Sequence, residues 1–314
     1  MAKKATSKKS ERHYPVVRKL RLAEQTAVVA GGRFMDVARC LSIANRRLYR
    51  QSRTYTCKID LDIGSAHALQ GVDVYVLRDS WDTHGAYKFA MENYYNAMRE
   101  ELALGKGANT RWHDFRVKPD FQSDELIVSA ARPNSATATM DLVKLPTGDY
   151  DYAEVVDAAG VQHSFVLSNA SANEYSILEQ WGDRDRVQGD PASASTTMPY
   201  ADLTEDADEA NYDLIRGAGA TPPYSTSVSS SAEYGWHKVA TMKQDASGAL
   251  KLSSGFFEAP LGYIVLVSTA FPGGVVSSDE LPIMCTVQTG DYKGVKAKPY
   301  ATLEMTPDMR YKVV

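Results

Sequence analysis

The stretch TYTCKIDLDI, residues 54–63, alternates without a break. Tyr55, Cys57, Ile59, Leu61 and Ile63 fall on one side, and Thr54, Thr56, Lys58, Asp60 and Asp62 on the other. Successive side chains of an extended chain point to opposite faces, so a period of two over this length specifies a strand with one face buried and one wet. Beyond Gly71, Val72, Val74 and Val76 repeat the pattern. The period then changes. In THGAYKFAMENYYNAMREELALGKG (83–107), Ala86, Ala90, Tyr94, Ala97, Met98 and Leu102 recur at helical intervals, with Thr83 a suitable N-cap and Gly105 and Gly107 a stop.

After this helix the chain returns to strand-like segments. WHDFRV (112–117), ELIVSA (125–130), TATMDLVKL (137–145), YAEVV (152–156), HSFVLS (163–168) and EYSILEQ (174–180) are separated by turn formers such as Pro133-Asn134 and Thr147-Gly148-Asp149. Residues 182–233, rich in Gly, Pro, Ser, Thr and acids, read as a long irregular excursion of the kind that is commonly functional. Strands resume with YGWHKVATM (234–242), ALKLSSGFF (249–257), YIVLVSTAF (263–271) and IMCTVQT (283–289), and a short one near YATLEM (300–305). Many half-apolar strands with one strong internal helix, and no strand–helix alternation, predict an all-β sandwich of two antiparallel sheets.

Upstream of the opening stretch the chemistry differs. Residues 1–53 hold 14 Lys/Arg against Glu11, Glu24 and Asp36, whereas the remainder holds 21 basic against 36 acidic residues. Lys3, Lys4, Lys8, Lys9, Arg12, Arg18, Lys19 and Arg21 crowd the first 21 positions. A basic arm on an acidic body is a pattern for capturing polyanions by releasing their condensed counterions, with little dependence on base sequence. Residues 1 to 12 carry no apolar period and read as disordered until bound. From Phe34, the positions Phe34, Val37, Ala38, Leu41 and Leu48 follow helical spacing, with Arg39, Arg46 and Arg50 along another stripe. KKATSKK (3–9) also suits a nuclear import signal.

Catalytic signatures are missing. His13, His67, His84, His113, His163 and His237 show no HxH or HExxH spacing, and neither a GxSxG elbow nor a GxxxxGK[ST] loop occurs. Arg216-Gly217-Ala218-Gly219 lacks the strand and helix context of a dinucleotide loop. His113 and Asp114, adjacent on an expected strand, would point to opposite faces and cannot form a dyad. Asp202, Glu205, Asp206, Asp208 and Glu209 could collect calcium, but their spacing does not fit an EF-hand. We therefore expect no enzyme activity, cofactor or metal site. Cys40, Cys57 and Cys285 are expected to be reduced core thiols. No run of 18 apolar residues and no secretory signal is present, so no membrane partner is expected.

Several of these stretches together resemble the capsid proteins of small circular, Rep-encoding single-stranded DNA viruses. The likeness rests on NRRLYRQSRTYTCKIDLD (45–62), RDSWDTHGAYKFAMENYYNAMREE (78–101) leading to RWHDFRV (111–117), GAGATPPYS (217–225) and LSSGFFEAPLG (252–262). The resemblance implies a single jelly-roll β-sandwich with an inserted helix behind a disordered basic arm. An arm with a short amphipathic helix would span 1–45 and a shell domain 46–314, with the 182–233 excursion an outer surface or an inter-subunit clamp. It implies a structural protein that assembles with itself into an icosahedral virion and packages single-stranded DNA, RNA being compatible with the same phosphate contacts. The arm cations would touch the genome, and Arg39, Arg46, Arg47 and Arg50 would line the inner surface. Host import machinery, a cell-surface receptor and passage through the host nucleus or cytoplasm follow from the same likeness. Two other readings remain open from the residues alone: a cellular β-sandwich module for carbohydrate or nucleic acid with a basic targeting tail, and a hydrolase on a β scaffold.

Overall fold

The computed structural model describes residues 15–22, 33–62, 70–104, 112–119, 125–134, 139–147, 152–156, 160–168, 170–185, 235–243, 251–270, 283–308 and 310–314. Along the chain these form β1 (Lys19–Arg21), β2 (Arg33–Asp36), α1 (Val37–Asn45), β3 (Arg53–Asp62), β4 (Gln70–Leu77) and α2 (Trp81–Leu104). Next come β5 (Ser129–Asn134), β6 (Thr139–Lys144), β7 (Glu154–Val156), β8 (Gln162–Val166), β9 (Glu174–Ser176) and α3 (Ile177–Asp185). The last part holds β10 (Trp236–Lys243), β11 (Lys251–Ala259), β12 (Tyr263–Ala270), β13 (Ile283–Val287), β14 (Ala297–Pro299), β15 (Leu303–Met305) and β16 (Tyr311–Val313).

Two antiparallel sheets make the body. One runs β1-β13-β3-β11, with β14 also pairing β3; the other runs β10-β4-β12-β2. The alternation in β3 sends Tyr55, Cys57, Ile59 and Leu61 inward, where they meet Val72, Val74 and Val76 of β4 and Ile264 and Leu266 of β12. Lys58 and Asp60 stay on the outer face and pair at 3.0 Å. The protein is thus an all-β sandwich with few helices.

The second sheet is covered on both sides at β2, β4 and β12, while β10 at its edge stays largely exposed. Its other face, with Phe34, Tyr75, Leu77, Tyr263, Val265 and Val267, packs against Ala86, Tyr87, Met91 and Tyr94 of α2 and against Phe115 and Phe165. That is why Tyr263–Val267 reads as a continuous apolar run whereas β3 alternates: a strand covered on both faces has no wet side. Full burial of such side chains contributes roughly 1.5–3 kcal/mol each. Cys40, Cys57 and Cys285 are free thiols in the buried interior, as expected.

Local chemistry departs from the sequence expectations at several points. Ser80, one turn before the expected cap, starts α2: its carbonyl accepts from the His84 N–H at 3.0 Å, and its N–H donates to Thr83 Oγ1 at 3.2 Å, half of a capping box. The segment 112–117 joins no sheet, because its backbone is taken up by buried Gln51, whose Oε1 accepts from Val117 N at 2.8 Å and whose Nε2 donates to Val117 O at 3.3 Å. EYSILEQ is strand only to Ser176, whose hydroxyl accepts from Glu179 N at 3.2 Å and starts α3. Pro133 and Asn134 remain inside β5, paired with Met140 and Thr139.

The N-terminal region also differs. Phe34 and its neighbours form β2, laddered to β12, and the helix begins only at Val37, where the Asp36 carboxylate accepts from Arg39 N at 3.0 Å. β1 is laddered to β13, and Leu20, Leu22, Val37, Ala38 and Leu41 lie in the main core. Of the 1–45 stretch that the resemblance gives to an arm with a short helix, the described residues 15–22 and 33–45 make these contacts with the body. Two leucines alternating with the charges, Leu20 and Leu22, are enough to bury one face of a short strand. The 182–233 excursion lies outside the described residues from 186 onward.

Candidate nucleic-acid interface

Lys3, Lys4, Lys8, Lys9 and Arg12 lie outside the described residues. Where the described chain begins, Val17 N–H donates to Asn45 Oδ1 at 2.8 Å and Asn45 Nδ2 donates to Val17 O at 3.1 Å, tying the segment to the end of α1. Arg18 follows half-buried, and Lys19 and Arg21 stand exposed on the outer face of β1, opposite Thr286 and Met284. Two of the eight expected arm cations thus sit on β1, and Arg18 just before it accepts from Val287 N–H at 2.9 Å through its carbonyl.

The expected arginine stripe is divided. Arg39, its side chain only 13% exposed, pairs with Glu125, the residue that bridges to Phe34 of β2. Its charge is used inside the protein. Arg46, by contrast, ends α1 in the left-handed region at φ 50°, and Arg47 N–H reaches back to Ser42 O at 3.3 Å. Ser42 Oγ then accepts from Tyr49 N at 2.9 Å. These bonds turn the chain sharply, leaving Arg46, Arg47 and Arg50 exposed in the loop between α1 and β3.

A tight hairpin from the other end of the chain meets this loop. Tyr292 and Val295 exchange backbone hydrogen bonds of 3.1 and 3.0 Å, and the two residues between them, Lys293 and Gly294, have φ of 52° and 89°. Positive φ at both central positions is the geometry of a primed hairpin turn, which favours Asn and Gly. Gly294 is also where the N-terminal segment packs: a Cβ there would lie 2.7 Å from Val16 Cγ2. The basic N-terminus therefore joins the body beside this turn.

The contacts between loop and turn are dense. Arg53 Cζ lies 3.8 Å from the centre of the Tyr292 ring, and Lys293 Nζ lies 5.2 Å from Tyr292 and 5.8 Å from Tyr49. Arg50 N–H donates to Tyr292 Oη at 3.2 Å, Tyr49 Oη donates to Lys293 O at 3.1 Å, and Lys293 Nζ donates to Leu48 O. Partial burial, then the neighbouring guanidiniums of Arg47, Arg50 and Arg53, hold the Lys293 ammonium below its ordinary pKa. Among the described residues, the one carboxylate within ion-pair distance of Arg47, Arg50, Arg53 or Lys293 is Asp114, 3.9 Å from Arg50. Burial pushes Asp114 up to about 6 against the Gln51 N–H and the Arg50 and Arg116 charges.

Arg53, Tyr292 and Lys293 were not singled out from the sequence. Arg53 carried a signal, since it continues the basic run into the strand, but nothing local linked Tyr292 and Lys293 to it. No catalytic pair forms at 113–114: His113 Nε2 lies 3.1 Å from Tyr94 Oη, while Asp114 faces Gln51 and Arg50. His84 does approach Asp79, at 2.5 Å, and its ring stacks on Tyr300 at 3.8 Å, which fixes the first turn of α2 against the C-terminal segment. The acidic stretch at 202–209 and Arg216–Gly219 lie outside the described residues. Among the described residues no group of three or more His, Cys, Asp or Glu is arranged to hold a metal ion, and no helix is long and apolar enough to cross a membrane.

No family profile, curated protein or solved structure matches the chain.

Proposed function

We propose that this chain is a viral coat protein with a single jelly-roll body, and that it assembles with itself into an icosahedral shell around single-stranded DNA. The observation that carries the reading is the pairing of the eight sandwich strands β1, β2, β3, β4, β10, β11, β12 and β13. Taken in chain order, the first pairs with the eighth, the second with the seventh, the third with the sixth and the fourth with the fifth. The pairs β13–β3 and β12–β4 then join these into two sheets. One long antiparallel hairpin wrapped onto itself gives this nesting, and a double-sheet roll of eight strands is an architecture of viral capsid and lectin domains. The chain between β4 and β10, which carries α2 and β5 to α3, is an insertion at the tip of that hairpin.

Charge supports the packaging half of the reading. Counterion release by the N-terminal lysines would hold nucleic acid, RNA as well as DNA, and Lys19, Arg21, Arg46, Arg47 and Arg50 extend the same positive surface over the body. Shell contacts would draw on apolar side chains left exposed on the subunit, among them Trp81 and Phe256, which are 69% and 54% exposed. The resemblance to coat proteins of small circular DNA viruses supplies the choice of cargo, the virion as location, and the import machinery and receptor as host partners. Sedimentation of the purified full chain, with negative-stain microscopy, tests the proposal: megadalton particles are expected, and a monomer at every salt and pH would overturn it in favour of a cellular binding module.

A further inference from the structure

We infer that the hairpin turn at 292–294 and the loop 47–53 form a phosphate-binding site on the body itself, with Lys293 at its centre and Arg47, Arg50 and Arg53 around it. The inference rests on the packaging reading only for the identity of the natural polyanion, a single-stranded nucleic acid; the site is built from the side chains alone.

Three independent features point to an anion. First, four cations converge from two distant parts of the chain with only Asp114 beside them among the described residues. Like charges held together repel, and a bound anion is what turns that repulsion into attraction. Second, Lys293 occupies a left-handed position at φ 52°, where Asn or Gly would sit without strain. The turn itself does not call for a lysine head group. Third, the Arg53 guanidinium carbon lies over the Tyr292 ring, 3.8 Å from its centre, and Arg50 is anchored through its backbone to the Tyr292 hydroxyl at 3.2 Å. Stacking fixes the guanidinium plane in advance, so less freedom is lost when its N–H groups meet phosphate oxygens.

The bland alternative is that Lys293 serves the fold, since its ammonium bonds Leu48 O. The variant Lys293→Asn separates the two, because Asn suits the turn and relieves the repulsion. The probes are sodium tripolyphosphate, which carries no bases, and a 20-mer of deoxythymidine, each added to the full-length chain at fixed ionic strength. Wild type should melt higher as tripolyphosphate rises, since a ligand of the folded state stabilises it. Lys293→Asn should melt no lower than wild type without anion and lose the tripolyphosphate-dependent rise. Its affinity for the oligonucleotide should fall about tenfold, with a salt slope shallower by about one. A fourfold arm variant, with Lys3, Lys4, Lys8 and Lys9 changed to Gln, should keep the tripolyphosphate rise while losing oligonucleotide affinity. If Lys293→Asn fails to fold, Arg53→Gln must abolish the rise in its place. The inference is overturned if wild type shows no rise, or if the rise survives in the folded Lys293 or Arg53 variant. Particle formation is unaffected by either result, so failure here is distinct from failure of the coat reading.

Discussion

Two arginine-bearing regions, a few residues apart in the chain, use the same side chain in opposite ways. At Asp36–Arg39 the guanidinium is largely covered, pairs with Glu125 and clasps α1 to the segment that leads into β5. At Arg47–Arg53 the guanidiniums are exposed or half-buried, crowd around Tyr292 and Lys293, and have only Asp114 for compensation among the described residues. The first region spends its charge on the fold. The second leaves it for something outside the chain. What separates them is the partner, not the arginine, and the partner comes from a remote segment in both cases.

The comparison predicts its largest effect in the buried region. Glu125→Ala takes the carboxylate from a guanidinium that cannot lose its proton, and should cost about 3–5 kcal/mol in urea unfolding. Arg39→Ala should cost less, because Glu125 can protonate; equal losses would blur the distinction drawn here. Burial outweighs Arg39 and pushes Glu125 up to about 7, and it brings Asp36 to about 6. These folded values exceed the unfolded ones, so the native state binds more protons between pH 4.5 and 7 and gains stability as pH falls through that window. The melting temperature should therefore rise from pH 8 to pH 5, and Glu125→Gln should flatten part of the profile. A rise of unchanged size in that variant would remove Glu125 from the account.

The exposed region should respond the other way. Changing Arg47, Arg50 and Arg53 together to Gln should leave unfolding within about 1 kcal/mol of wild type, while the plot of log affinity for single-stranded DNA against log salt loses about two units of slope. A large loss of stability with an unchanged slope would make this region structural too. The smallest expected effect is at the junction: Gly294→Ala, at φ 89° and against Val16, should cost about 1–2 kcal/mol by circular dichroism melts.

Parts of this arrangement are legible in the sequence. The alternation of residues 54–62 and 72–76 and the helical period of 83–104 correspond to β3, β4 and α2 because each is decided by contacts on one face of a single element. Strand order is not legible, since β1 pairs with β13 from the far end of the chain and nothing in either segment names the other. The same limit hid the interface. Arg46, Arg47 and Arg50 advertise themselves as charge, but Tyr292 and Lys293 reach them only through the fold. Arg39 fitted the same stripe by spacing and lies elsewhere, because Asp36 capped a helix that begins after Phe34 and turned Arg39 toward Glu125.

The central claim is that the N-terminal lysines hold the cargo while the sandwich builds the container. Because β1 begins at Lys19 and Val17 is tied to Asn45, truncation past Pro15 would damage the body, so substitution is the cleaner tool. The deciding measurement is the ratio of absorbance at 260 to 280 nm of megadalton particles from wild type and from the variant with Lys3, Lys4, Lys8 and Lys9 changed to Gln. Particles of the same size with a lower ratio are the predicted result; particles with an undiminished ratio would contradict it.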